Sequence, residues 1–336
     1  MATLSVRNPT LLDMAKAQDP DGKIAVVVEI LNEVNEILDD MVWVEGNLTT
    51  GHMTTQRTGL PAPTWRKMYG GVQPTKGTTA QVTDNTGMLV AFSEIDMALA
   101  KLNNNTAAYR LLQDRAHIEG MAQELSDTLF FGNEDTEPEA FTGFAPRYNT
   151  TSAESGDNII LGGSASGQTD NRSIWLVTWG DDLIHGIIPK GSTAGLQVED
   201  LGMQLLQDAS DGSNTGRMKA LVSHYEWHAG LTVADWRYAA RIPNIDNSLL
   251  TPDASSGADL ADLMFQAMNL IPNLSRGRPA FYMSRDMLTF LRRQLSAATS
   301  MSTLQIENVG GKMVTSFQGI PIRRCDTLAA DETRIT

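Results

Sequence analysis

Residues 46–90 set the strongest limit on how this chain folds. They include Gly46, Gly51, Gly59, Gly70, Gly71, Gly77 and Gly87, together with Pro61, Pro63 and Pro74 and many threonines. Large apolar side chains are sparse, so the stretch cannot bury a core of its own. A coreless run of about 45 residues is too long for an ordinary connection inside a compact domain. Two strand-like arms, 52–58 and 80–83, flank a turn-rich centre, and a further strand follows at 88–92. The pattern predicts a projecting hairpin that gains order from a neighbour, with a flexible surface loop as the plain alternative.

Charge favours the hairpin. Residues 46–90 carry Arg57, Arg66, Lys67 and Lys76 against Asp84 alone, a net of +3. The chain totals −14, which leaves −17 for the remainder. A basic hairpin on an acidic body suits contact between copies of one protein. The acidic total argues against tight or sequence-specific DNA binding, which needs a positive field. It does not exclude a protein that merely encloses nucleic acid. Cys325 is the single cysteine, so no intrachain disulfide is possible and a reducing cytoplasm is the natural setting for assembly. The start lacks a basic-then-apolar leader, and no apolar run is long enough to span a membrane.

Two amphipathic helices bracket the hairpin. In 105–131, Leu111, Ile118, Ala122, Leu125 and Leu129 recur on one face, with Asn103–Asn105 and Thr106 as cap candidates and Gly132-Asn133 as the stop. At about 1.5 Å per residue this rod spans roughly 40 Å. In 23–42, Val27, Ile30, Leu31, Val34, Leu38 and Met41 form a stripe, Asp21 is the expected N-cap, and the other face is acidic. Residues 1–20, broken by Pro9 and Pro20, read as an extended or short-helical arm or a frayed terminus. Residues 132–158 read as an acidic, turn-rich loop.

The second half is mixed in character. Strands are expected at 173–178, 186–189, 280–283 and 320–326, and less clearly at 197–207. Residues 219–229 and 236–242 read as strands paired with each other. Helices are expected at 259–270 and, capped by Ser284, at 285–295. Residues 303–309 and 312–317 read as a hairpin around Gly310-Gly311.

Few residues suggest chemistry. His224, Glu226 and His228 are the sharpest candidates, since two histidines at i and i+4 hold Zn²⁺ when helical. Here Tyr225 stands where the zinc-protease pattern needs Glu, and the local alternation is that of a strand. On a strand those histidines lie roughly 13 Å apart, too far for one metal. A polar sheet face is therefore expected, and a metal-dependent hydrolase stands as the reading of a different class. Asp181, Asp182 and His185 have no nucleophile elbow beside them and read as a turn. No phosphate loop or dinucleotide fingerprint is present. His117 reads as a surface or interhelix residue and Cys325 as a small buried hydrophobe. No enzyme, cofactor or metal site is expected.

The order of arm, helix, glycine-rich basic hairpin, long helix, α/β region and closing strand resembles the major capsid proteins of tailed bacteriophages, with the Hong Kong 97 type of α+β fold. Residues 173–202, SIWLVTWGDDLIHGIIPKGSTAGLQVEDLG, are similar to a stretch in capsid proteins of a group of phages, many short-tailed. FQGIPIRRCDTL at 317–328 resembles the closing Gly-x-Pro strand of such proteins. The resemblance implies an N-terminal arm and helix at 1–45, an extended loop at 46–95, and a peripheral domain with a spine helix at 96–155. An axial domain would follow at 156–300, with a return to the peripheral domain at 301–336. It implies self-assembly into pentamers and hexamers of an icosahedral shell around double-stranded DNA, built in the host cytoplasm and ending in the virion. Arg57, Arg66, Lys67 and Lys76 would make intersubunit contacts. Portal, scaffold and decoration proteins are candidate partners; no long scaffolding segment precedes the arm in this sequence, so either a separate scaffold protein assists or none is needed. The loop cross-link of the founding type is not carried over to Lys67 or Lys76. An encapsulin-like nanocompartment shell is the alternative on the same fold.

Overall fold

The computed structural model describes residues 33–101, 106–163, 170–207, 217–252, 257–297, 304–309 and 312–336. Its strands are β1 (Trp43–Glu45), β2 (Gly51–Gly59), β3 (Thr78–Asp96), β4 (Asn171–Trp179), β5 (Ile184–Ile188), β6 (Gln197–Gln207), β7 (Arg217–Val233), β8 (Ala239–Asp246), β9 (Arg278–Met283), β10 (Leu304–Val309), β11 (Lys312–Phe317) and β12 (Ile320–Arg324). The longer helices are α1 (Thr106–Phe131), α2 (Leu260–Leu270) and α3 (Arg285–Ala297). The described residues form two compact units, one within 88–125 and 193–228, the other within 34–87, 126–192 and 229–336.

In the first unit β6 pairs antiparallel with β7, from Gln197 opposite Glu226 to Gln207 opposite Arg217, and β3 is the other neighbour of β7. Gly202, at φ 67°, sits at the bulge in β6 where the register shifts. Helix α1 covers one face of this sheet. Arg110 donates to Asp200 (2.5 and 2.9 Å) and to Ser223 (2.8 Å), and the His117 ring stacks 6.2 Å from Tyr225. Ile95, Leu99, Ala100 and Tyr109 form the core with Leu221 against them. On the strand β3 itself, Met88, Val90 and Phe92 alternate with their neighbours and are exposed, and Phe92 lies 4.6 Å from the His224 ring.

In the second unit the strand order runs β10-β11-β12-β9-β4-β5, with the end of β7 beyond β5. β8 also pairs with β4, and β1 runs parallel to β5. Every residue of β4 but Arg172 is buried, including Trp175 and Trp179, as expected of a strand covered on both faces. Phe130, Phe144 and Tyr148 pack around Trp175 at centroid distances of 5.6–6.3 Å. Arg241 lies over the same indole, 5.0 Å from its centre, and pairs with Glu332 at 2.5 Å. Burial pulls this guanidinium's pKa down, and Glu332 opposes the shift. The last residues are further tied by two hydrogen bonds between Asn244 and Ile335. Asp40 takes a two-pronged bond from Arg323, and Asp326 accepts from Arg324, Arg285 and the Val34 amide.

Most expected elements stand, with instructive departures. Of the expected helix 23–42, residues 23–32 lie outside the described residues; within 33–42 there is a helical turn at Ile37–Asp40, and Asn35 bridges to Cys325. Sheet and ion-pair partners outweigh the local helical pattern there. In α1, Leu111 and Ile118 are exposed, while Tyr109, Met121, Leu125, Leu129 and Phe130 are buried. The expected strands 219–229 and 236–242 do not pair with each other: β7 pairs with β5 and β6, and β8 with β4. The expected loop 132–158 contains helical turns at Phe144–Arg147 and Glu154–Asn158 and buries Phe141, Phe144 and Tyr148. The expected strand 88–92 is the continuation of β3. Residues 1–20, Asp21, Asn103–Asn105 and the expected turn at Gly310-Gly311 lie outside the described residues.

Candidate functional site

The hairpin predicted at 46–90 is present: β2 and β3 run antiparallel from Gly51 opposite Asn85 to Gly59 opposite Thr78. At about 3.3 Å per residue each paired arm extends roughly 30 Å. Its root is built into the second unit. A Cβ on Gly51 would sit 2.2 Å from the Asp84 carbonyl oxygen, so the close approach of the arms there needs glycine. Asp84 is buried and accepts from Arg147 at 2.8 Å, while Arg147 also donates to the carbonyls of Thr142, Gly143 and Leu231. Gln56 donates to the Ala234 carbonyl at 2.9 Å.

Beyond the root the arms and tip are exposed. The tip is an ordered turn: the Gly70 amide donates to the Lys67 carbonyl at 3.0 Å, and Arg66 Nε donates to the Gly70 carbonyl at 2.8 Å. Tyr69 adopts φ 64°, a left-handed conformation unfavourable for a bulky residue. This turn holds Trp65, Met68 and Tyr69 almost wholly in solvent, and Leu60 is also exposed. Arg57, Arg66, Lys67 and Lys76 are all exposed, and among the described residues none pairs with an acid of its own chain. The sequence reading weighted these charges and passed over the aromatic tip. The available signal was a Trp and a Tyr four residues apart in a segment with no core to bury them.

The other candidates fall into structural places. His224, Glu226 and His228 lie on strand β7; Glu226 contacts His228 at 2.6 Å, and His224 packs on Phe92. Among the described residues no group of three His, Cys, Asp or Glu is placed to hold a metal ion. Asp181 and Asp182 are exposed in the turn before β5, and His185 is buried in β5. Cys325 is fully buried, which pushes its thiol pKa far up and leaves it unreactive. No helix among the described residues is long and apolar enough to cross a membrane.

Comparison with known proteins agrees with this architecture. The family model "Major capsid protein GP7" matches residues 19–336. A chain of the near-atomic structure of bacteriophage Epsilon15 is 36% identical, with a TM-score of 0.80 over 97% of both chains. The capsid of bacteriophage JBD30 aligns over 89% of this chain and 93% of its own at 9% identity and a TM-score of 0.49. The SrpI encapsulin of Synechococcus elongatus aligns over 72% of this chain and 97% of its own at 10% identity and a TM-score of 0.43. No curated protein matches. The family match and the Epsilon15 alignment span nearly the whole chain, and they decide for a virus shell over a nanocompartment or a hydrolase. The chain therefore belongs to the major capsid protein GP7 family, has the Hong Kong 97-type fold, and is a structural component of a phage capsid rather than an enzyme.

Proposed function

We propose that copies of this capsid protein join into the pentamers and hexamers of the shell by laying the hairpin tip of one copy on the body of the next. The observation that carries this reading is the pairing of exposed basic and aromatic groups on one ordered turn: Arg66 and Lys67 beside Trp65, Met68 and Tyr69. Burying an aromatic of this size removes about 150–250 Å² from water, and apolar burial contributes about 25 cal/mol per Å² before association costs. The receiving surface best matched in chemistry is the exposed β3 face of another copy, where Met88, Val90 and Phe92 are exposed and Phe92 packs on His224. Glu226 and Glu199 belong to the same sheet and suit a basic tip. Such a contact is heterologous, and it forms rings when the rotation closes.

In this reading residues 1–45 serve as the arm, 46–95 as the extended loop, 96–155 and 301–336 as the peripheral domain, and 156–300 as the axial domain. The shell encloses double-stranded DNA without sequence-specific contacts, and the acidic chain leaves entering DNA free to move. Portal, scaffold and decoration proteins are the candidate further partners of this shell.

Two double variants test the contact. Trp65→Ser with Tyr69→Ser, and Arg66→Glu with Lys67→Glu, should each abolish sedimenting shells. Each exposed change should move the stability of the free chain by no more than about 0.5 kcal/mol. Normal particle yield from the aromatic variant would refute the tip as anchor. Normal yield from the charge-reversed variant would refute charge complementarity.

A further inference from the structure

The root of the hairpin contains buried polar atoms that structural packing does not explain. His185, on β5, is 2% exposed, and neither ring nitrogen has a hydrogen-bond partner of good geometry. His52, on β2, meets it edge-on with ring centres 5.6 Å apart, and its Nδ1 is also buried and unpartnered. The cross-strand partner of His52 is Asp84, and that of His185 is Thr232. Asp84 Oδ2 and Thr232 Oγ1 are likewise buried without partners. A cavity of about 610 Å³ opens on the two histidines, so water and protons reach them. Buried polar groups are rarely left unsatisfied, and a cluster of them marks a place where the native state is held at a cost.

We propose that His185, packed edge-on against His52, is a proton-operated latch between the hairpin root and the central sheet: with its ring neutral the root stays seated on β5, and protonation of that ring drives it off. The His185 ring is buried against the half-buried His52 ring, so a charge on His185 would sit in a site of low local dielectric. The surrounding charges do not offset this. Asp84, although paired with Arg147, still favours a charged His185. Asp181, in the turn before β5, favours a charged His185, as does the nearby Gly180 carbonyl, but burial and the facing His52 outweigh them and lower the pKa of His185. Around the cavity Asp235 is paired with Arg237, Asp182 is in solvent, and Glu154, Arg57 and Arg276 complete a rim of mixed sign.

The sign follows from the lowered value. The open root lets His185 return to its ordinary pKa of about 6.5 and binds more protons than the closed root. Closure is thus fully favoured above about pH 6.5 and weakens below it, by up to about tenfold per pH unit for the proton taken up by His185. Hydrogen exchange of the purified full chain tests this between pH 7.5 and 5, with rates normalised to an unfolded reference. The amides of β2 and the start of β5 should lose protection by up to about tenfold per unit below about pH 6.5, while the β4–β8 ladder keeps its protection. His185→Gln should flatten that slope, His52→Gln should make it shallower, and His228→Gln should leave it unchanged. Root protection that is flat with pH in the natural chain would overturn the latch. So would an unchanged slope in either root variant, or loss of β4–β8 protection in parallel with the root.

Discussion

Arg147 is the single side chain that does most to fix the hairpin root. It donates to one carboxylate and three main-chain carbonyls, and its partner Asp84 is almost fully buried. Removing one member of a buried pair strands the other, at a cost of about 3–5 kcal/mol. Arg147 keeps some solvent contact, so Asp84→Ala should cost about 3 kcal/mol, read as a lower urea midpoint at unchanged slope. The double change Asp84→Ala with Arg147→Met should cost less than the sum of the single ones, because no orphaned charge remains. Additive losses would show that the pair is not coupled. Nothing in the sequence marks this pair, since 63 residues separate its members. The same holds for His52 and His185, which only the β2–β5 approach brings together.

At the scale of elements, the hairpin and the long helix were legible because each depends on local pattern. Glycine, proline and threonine without apolar bulk left residues 46–90 no route to a core of their own. A clean helical period with Gly132 as its stop left α1 little alternative; a Cβ on Gly132 would come within 2.6 Å of the Thr128 and Phe141 carbonyl oxygens. What was not legible depends on distant partners. The buried side of α1 is set by Tyr109 and Met121 meeting their own surroundings, so a period containing Leu111 and Ile118 pointed in part to the wrong face. Strand β8 has the composition of a hairpin partner for β7, but β4 is the apolar strand available to it. The tip gives the element-scale prediction. Residues 60–77 have no ladder partner in the chain, so their amides should exchange nearly as fast as an unfolded peptide in free subunits. In assembled shells the same amides should be protected. Protection already present in free subunits would mean that the tip packs on its own copy.

For the whole molecule, a shell protein must meet many identical copies through one set of surfaces. The chain divides its chemistry accordingly. The second unit buries the large aromatics and the Arg241–Glu332 pair, and so supplies a rigid base. The hairpin leaves its aromatics exposed and its four bases without an acid partner among the described residues. Family membership makes the virus shell the setting, and the central claim is that the tip is completed by another copy. Electron cryo-microscopy of assembled particles tests this most directly, by tracing the density of residues 60–77. The account predicts Trp65 and Tyr69 buried against the neighbouring copy, with Arg66 or Lys67 beside its acids. A tip that stands in solvent in the finished shell, or folds back on its own chain, would contradict it.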